Sequence, residues 1–317
     1  MKGNEKTGID WWLSLLKDRN PEARKRAVQA LGEIHQPRAL KPLAAALEDP
    51  DHGVRAHAVM ALAHFKEPAA LKALVQSLGD PSDQVRKCAA LALGTRNDPS
   101  VTGPMIAALK DSSPEVRNLA AIALRNTRPP AAVEPLISAL GDENEHVRIS
   151  SIETLGLLKD ARCSEPLVGA LKDASSPVRK AAIAALMRLG SGSAEALILA
   201  LKDESGDIRY LAAGALAVVG GVTAVEPLCE AMKDRNLTVR YAAAEALGAI
   251  QDPGAVECLI TGLRDANTLV RIAAAEALGK INDPRAAGPL TALLKDPDAH
   301  VRTYAVAVLA KLAGRGK

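Results

Sequence analysis

The sequence predicts an all-α protein, an α-solenoid of ten helical hairpins with a repeat of about 31 residues. An arginine recurs at steps of 31 residues, with one step of 30, at Arg24, Arg55, Arg86, Arg117, Arg148, Arg179, Arg209, Arg240, Arg271 and Arg302. A leucine stands seven residues after each arginine, and an aspartate stands six residues before it. Apolar residues follow a helical period and no segment alternates as a strand would, so neighbouring units must bury one another's apolar faces.

Each unit contains two predicted helices. The second, helix B, begins near the arginine and places apolar residues at positions −1, +3, +6, +7 and +10 from it, the spacing of one buried helical face. Its first turn holds Pro114 after Ser113 in one repeat and Pro177 after Ser176 in another, which predicts these serines as N-caps. The first, helix A, often carries a proline at position −13, inside its first turns or as a mild kink.

The repeats cover the whole chain, which predicts a single solenoid over residues 1–317. Residues 1–34 form the expected N-terminal capping repeat, since Trp11 and Trp12 are unusual residues suited to covering a terminal face. Residues 285–317 form the C-terminal repeat and tail. The one 30-residue step precedes a glycine-rich stretch within residues 190–221, for which a hinge and a tolerated deletion are equally good interpretations.

Composition narrows the class of protein further. Forty basic and 37 acidic residues leave a net charge of +3 without a basic block, which disfavours an electrostatic nucleic-acid binder. Four widely spaced cysteines, Cys88, Cys163, Cys229 and Cys258, argue against a disulfide framework and for a reducing compartment. No signal peptide or membrane-spanning run is found, so a soluble, cytoplasmic protein without a membrane partner is expected.

The recurring motifs "VRxxAAxALG", "EPLxxALKD" and "DPxAV" resemble short HEAT-like repeats of the type associated with phycobilin lyases. The resemblance implies a right-handed superhelix in which the B helices line the inner, concave face. It also implies a structural ladder of aspartate–arginine pairs that links neighbouring repeats. The expected ladder residues are Asp49, Arg55, Asp80, Arg86, Asp111, Arg117, Asp142, Arg148, Asp173, Arg179, Asp203, Arg209, Asp234, Arg240, Asp265, Arg271, Asp296 and Arg302.

The B-helix positions opposite the buried face differ from repeat to repeat and form the candidate partner-binding surface. Its N-terminal part comprises His57, Met60, Cys88, Leu91, Leu119, Ile122 and Ile149. Its C-terminal part comprises Tyr210, Leu211, Tyr241, Glu245, Ile272, Glu276 and Tyr304. All three tyrosines of the protein fall on this face, and exposed apolar surface with tyrosine is typical of interfaces. Packing on neighbouring repeats or self-association is the alternative interpretation.

These features predict a non-catalytic scaffold that binds a protein or peptide along the concave face. The alternative is a phycobilin lyase-like subunit that binds a tetrapyrrole, and nucleic-acid binding is a weaker third hypothesis. No cofactor is expected. His57 and His64 are two helical turns apart, roughly 10 Å, too far to share one zinc ion. No histidine is followed by glutamate, which excludes the iron site of the HEAT-like deoxyhypusine hydroxylases.

Overall fold

The computed structural model describes residues 4–96, 98–190 and 193–314, and these contain twenty α-helices and no strand. The prediction of an all-α repeat of helical hairpins is confirmed. The A helices are α1 (Asn4–Leu15), α3 (Pro37–Ala45), α5 (Pro68–Gln76), α7 (Thr102–Ala108), α9 (Val133–Ser138), α11 (Ser164–Ala170), α13 (Ala194–Ala200), α15 (Val225–Ala231), α17 (Val256–Gly262) and α19 (Ala287–Ala292). The B helices are α2 (Pro21–Ile34), α4 (His52–Leu62), α6 (Asp83–Gly94), α8 (Pro114–Thr127), α10 (Glu145–Leu158), α12 (Ser176–Leu189), α14 (Gly206–Val219), α16 (Leu237–Ile250), α18 (Thr268–Ile281) and α20 (Ala299–Gly314).

The chain divides into two compact units, residues 1–158 and 159–317, each holding five hairpins. In unit 1 the B helices α2, α4, α6, α8 and α10 pack on one another in chain order, and in unit 2 α12, α14, α16, α18 and α20 do the same. Each A helix packs on the B helix of its own hairpin. The division falls between the fifth and sixth repeats, not at the shortened repeat. Ser191 and Gly192 of the proposed hinge lie outside the described residues.

Small side chains let the B helices approach closely. In α16 and α18, Ala243, Leu247 and Ala274 are fully buried. A Cβ atom added to Gly248 would lie 2.8 Å from the Ala277 Cα atom of the next helix, closer than real contacts allow. Gly248, which stands eight residues after the repeat arginine Arg240, is therefore required for this helix contact, because a side chain there would push the two helices apart.

The loops show how each hairpin is closed. Helices α16 and α18 begin after Asn236 and Asn267, whose side chains accept N-capping bonds, and end in the left-handed residues Gln251 and Asn282. Most A helices begin with a short 3-10 turn, and the recurrent proline, as in Pro227, is the third residue of the α-helical part. Ser176 is the first residue of α12 and Ser175 is its N-cap, so the predicted boundary was wrong by one residue.

The cysteine prediction was wrong. Cys229 in α15 and Cys258 in α17 form a disulfide, with a Cα–Cα distance of 5.6 Å. They are 29 residues apart in the sequence, close to one repeat, and stacking of consecutive A helices brings such residues together. Wide spacing in the sequence therefore does not argue against a disulfide in a repeat protein, and the inference of a reducing compartment loses its support. Cys88 is a free, half-buried thiol.

Candidate interaction surface on the B helices

The Asp–Arg ladder links consecutive repeats within each unit. Arg240 donates two hydrogen bonds to the Asp265 carboxylate of the next repeat, at 2.7 and 3.0 Å, and a third to the Asp234 carbonyl of its own repeat, at 2.8 Å. Arg24, Arg55, Arg86, Arg117, Arg209 and Arg271 make the same bidentate contact with Asp49, Asp80, Asp111, Asp142, Asp234 and Asp296. Each such arginine thus joins two consecutive repeats with directed, charge-assisted bonds.

The shortened repeat changes this contact. Arg179 and Asp203 are separated by 24 residues instead of 25, and their closest approach is 3.2 Å. The Arg179 Nε atom is buried without a well-directed hydrogen bond. Two other ladder arginines bond to backbone carbonyls of their own repeat: Arg148 to Asp142 at 2.8 Å and Arg302 to Asp296 at 2.7 Å. The Asp173 carboxylate accepts the Ser175 N–H at 2.8 Å.

Ladder carboxylates are held in the charged form. Burial by itself would raise the pKa of Asp80, but hydrogen bonds from Arg55 and the Ser82 N–H outweigh it and lower that pKa below its ordinary value. The same balance lowers the pKa of Asp49, Asp111, Asp142, Asp234 and Asp265. Because these carboxylates and their arginines bond to protein groups on both sides, we interpret the ladder as structural rather than ligand-binding.

The N-terminal candidate residues lie on α4, α6, α8 and α10 and are called the unit 1 face. Met60 and Leu91 are exposed, at 41% and 47%, whereas Cys88, Leu119, Ile122 and Ile149 are half-buried. The half-buried members therefore offer only part of each side chain to a partner. His57 lies beside the Gly53 carbonyl at 2.7 Å, and the His64 ring packs edge-on against that of His35 at 5.1 Å.

The C-terminal candidate residues lie on α14, α16, α18 and α20 and are called the unit 2 face. Tyr210 and Tyr304 are exposed, at 43% and 42%, and Glu245 is exposed as well. The Tyr241 hydroxyl donates to the Glu245 carboxylate at 2.8 Å. This bond, burial, and the negative charges of Glu245 and Glu276 raise the pKa of Tyr241 to about 12. Leu211, Ile272 and Glu276 are half-buried.

Sequence reasoning missed several exposed apolar residues of unit 2. Leu237, Leu269 and Val306 are 41%, 56% and 57% exposed. Leu237 and Leu269 occupy positions −3 and −2 of their repeats, which the helical period already places on the free face. Their side-chain type was the available signal. They extend the apolar part of the unit 2 face toward the N-terminal ends of α16 and α18.

The described residues contain no group of three or more histidine, cysteine, aspartate or glutamate side chains that could hold a metal ion. Within the same residues, no helix is both long enough and apolar enough to cross a membrane.

Comparison with known proteins relates the chain to a family and to solved structures. A family model described as HEAT repeats matches residues 9–94, 72–145, 133–199, 194–267 and 256–316. Comparison with curated protein sequences finds no match.

Three solved structures show how far the likeness goes. An engineered protein is 24% identical, with a TM-score of 0.53 over 96% of this chain and 98% of that one. Importin beta is 16% identical, with a TM-score of 0.68 over 98% of this chain. The matched region covers 53% of the importin beta chain. The CpcE–CpcF complex of phycocyanin lyase from Nostoc is 24% identical over 68% of this chain and 97% of that one, but its TM-score of 0.42 supports no inference. At these identities the similarity concerns the fold alone.

Proposed function

The chain belongs to the HEAT-repeat family, and from this we propose that it is a non-catalytic scaffold that binds a protein or peptide partner along the unit 1 and unit 2 faces of its B helices. A scaffold of this kind needs a constant frame and a variable surface. One observation supports the proposal most directly: exposed apolar and tyrosine side chains recur on the same face of consecutive B helices. Exposure of such side chains does not stabilise the fold, and it is typical of interaction surfaces.

Two nearly identical repeats illustrate the division between frame and surface. The segments VRYAAAEALGAIQDP and VRIAAAEALGKINDP begin at Val239 and Val270 and differ at three positions. Two of the differences, Tyr241/Ile272 and Ala249/Lys280, lie on the free face of helix B, and the third lies in the loop. The shared letters supply the buried core, the ladder arginine and the turn, so substitutions at the free face leave the frame intact.

The proposal can be tested by affinity capture from a lysate of the source organism with quantitative mass spectrometry. The bait is the full chain, either wild type or with Tyr210, Tyr241 and Tyr304 changed to alanine. A matched control changes Leu199, Val222 and Leu294 to alanine, since these are also exposed apolar residues but lie on the A-helix side. We expect partners that the wild type and the control recover equally and that the tyrosine variant loses.

Equal recovery of every protein by all three baits would remove the unit 2 face from the proposal. A set of Met60→Ala and Leu91→Ala baits tests the unit 1 face in the same way. If both sets bind as the wild type does, the B-helix faces are not the interaction surface.

A tetrapyrrole ligand rests only on the family resemblance, and no contact in the described residues favours it. Nucleic-acid binding is disfavoured because Glu245 and Glu276 add negative charge at the centre of the unit 2 face. We therefore propose neither as a second function.

A further inference from the structure

A glutamate occupies the same position, five residues after the repeat arginine, in three B helices. These residues are Glu153 in α10, Glu245 in α16 and Glu276 in α18. In unit 1 the Glu153 carboxylate is bound by Arg125, which lies on the preceding B helix, at 2.8 Å. The protein therefore neutralises this glutamate internally, with a cation supplied by the previous repeat.

The same neutralising cation is missing from unit 2. Arg125 stands eight residues after its repeat arginine, and the equivalent residues of the repeats before Glu245 and Glu276 are Ala217 and Gly248. Among the ion pairs of the described residues, none within 4 Å involves Glu245 or Glu276. Lys280 lies one turn beyond Glu276 on α18, but its side chain extends over Gly248 and forms no ion pair with that carboxylate.

The two carboxylates lie within an apolar and aromatic surface. Tyr210 is on the helix before Glu245, Tyr241 donates its hydroxyl to Glu245, and Ile272 is on the same helix as Glu276. Leu237 and Leu269, both exposed, lie about two helical turns nearer the N-terminal ends of the same two helices. The pKa of Tyr241 is raised first by its hydrogen bond to Glu245 and by burial, and the charges of Glu245 and Glu276 add to this effect. An alkyl-ammonium or guanidinium group suits this surface, because carboxylates and tyrosine rings attract its cation while apolar side chains cover its aliphatic stem.

We propose that the unit 2 face binds a protein segment that presents a lysine or arginine side chain flanked by apolar residues. The cation of that segment lies between Glu245 and Glu276. There it has the same role in unit 2 that Arg125 has beside Glu153 in unit 1. This inference rests on the proposed scaffold function and adds the chemical class of the partner. A polyanion does not fit, because its phosphates would face two unneutralised carboxylates.

The test uses a phage-displayed library of random twelve-residue peptides selected on the full chain. Enriched peptides are then synthesised with a fluorescein label, and their affinity is measured by fluorescence anisotropy. The probe variant is Glu245→Gln with Glu276→Gln, which keeps the side-chain shape and leaves Tyr241 an amide oxygen to bond. The matched control is Glu195→Gln with Glu226→Gln, which removes two exposed carboxylates from the A-helix side of the same unit.

A second variant leaves both carboxylates in place. Ala217→Arg puts an arginine before Glu245 at the position that Arg125 has before Glu153. If the proposal is correct, this internal cation competes with the peptide. Thermal melting of all variants identifies any that fail to fold, and the glutamine pair then carries the test without Ala217→Arg.

We expect the enriched peptides to share a lysine or arginine next to apolar residues. Their dissociation constant is expected to rise about tenfold in the glutamine pair and about threefold or more in Ala217→Arg, but to stay within about twofold in the control. The affinity should also weaken between about 50 and 300 mM salt, because salt screens exposed ion pairs.

The two levels of the proposal fail differently. Peptides that lack basic residues, or that bind the glutamine pair as tightly as the wild type while the Tyr210/Tyr241/Tyr304→Ala variant loses them, would overturn the cation inference and leave the scaffold function standing. No enrichment over an unrelated bait, or enrichment that the tyrosine variant retains in full, would count against the scaffold function at this face.

Discussion

The fifth repeat of unit 1 and the eighth and ninth repeats of unit 2 use the same helical frame to different ends. Helix α10 carries polar residues at positions +3 and +6, where Ser151 and Thr154 are fully buried. The other B helices carry alanine at these positions, except for Val308 at position +6 of α20. Helices α16 and α18 keep alanine at both positions and place their polar residues, Glu245 and Glu276, on the free face.

Neighbouring side chains decide what each position does. Thr154 finds a partner for its hydroxyl in the Ala121 carbonyl of the preceding helix, at 3.0 Å, whereas the Ser151 hydroxyl is buried without a partner. Glu153 forms an ion pair with Arg125, whereas no ion pair of the part of the chain that the structure describes involves Glu245 or Glu276. A repeat alignment shows which positions are equivalent, but their roles depend on the residues of the adjacent repeat.

Acidification is expected to have the largest effect, because several ladder carboxylates titrate together. An aspartate whose pKa is lower in the folded state than in the unfolded state stabilises the fold at pH values above its unfolded-state pKa, about 4. This stabilisation is lost as the pH falls from that value through the lower pKa of the folded state. Among the ladder aspartates that the structure describes, a lowered pKa is found for Asp49, Asp80, Asp111 and Asp142 in unit 1 and for Asp234 and Asp265 in unit 2.

As the pH falls from about 4 to about 2, the backbone amides of unit 1 should therefore lose their protection from hydrogen exchange before those of unit 2. Hydrogen exchange of individual peptides, corrected for its intrinsic pH dependence, measures this directly. Loss of amide protection at the same pH in both units would show that the ladder carboxylates do not determine which unit is more sensitive to acid.

Reduction of the Cys229–Cys258 disulfide is expected to destabilise unit 2 by about 3 kcal/mol, because the bond restricts the unfolded chain over a loop of roughly 30 residues. Unit 1 has no share in this bond. Hydrogen exchange with and without dithiothreitol should show faster exchange in residues 225–262, with the peptides of α4 to α8 unchanged. A Cys229→Ser/Cys258→Ser variant that no longer responds to the reductant is the control.

Removal of one ladder arginine should lower the free energy of unfolding by somewhat less than reduction of the disulfide does. Arg240→Ala breaks the contact with Asp265 and the bond to the Asp234 carbonyl, at a site that is mostly buried, so a loss of about 2–3 kcal/mol is expected in urea unfolding. Arg302→Ala, which removes only the bonds to the Asp296 and Pro297 carbonyls, should cost about 1 kcal/mol. Equal losses in the two variants would mean that the bond between repeats contributes nothing.

The smallest effect concerns the polar core of α10. Ser151→Ala removes a buried hydroxyl that has no partner and restores the alanine found at this position in the other nine repeats, so a gain of about 1 kcal/mol is expected. Ser150→Ala should act in the opposite direction, because the Ser150 hydroxyl donates to Asn118 at 2.6 Å. Urea unfolding of the two variants gives the comparison, and a destabilised Ser151→Ala would contradict it.

The helical period allows some exposed positions of the B helices to be predicted from the sequence. Met60, Leu91, Tyr210 and Tyr304 are exposed as their positions indicate, because a helical period places them opposite the buried stripe. Leu237 and Leu269 occupy positions −3 and −2, which the helical period also places on the free face, but they were not among the predicted binding residues. The role of all these exposed residues in binding stays a prediction.

The amino-acid sequence is sufficient to predict the helical hairpins, their number and the residues that repeat in each. Stacked helical hairpins satisfy both the 31-residue period and the helical spacing of the apolar residues. The three-dimensional structure was needed to show which residues of neighbouring repeats are in contact. In the structure, Cys229 is bonded to Cys258 and Arg125 pairs with Glu153, whereas no ion pair among the described residues involves Glu245 or Glu276. Local helix formation depends on residues a few positions apart, whereas these contacts depend on the stacking of residues about 30 positions apart, which a one-dimensional period does not specify.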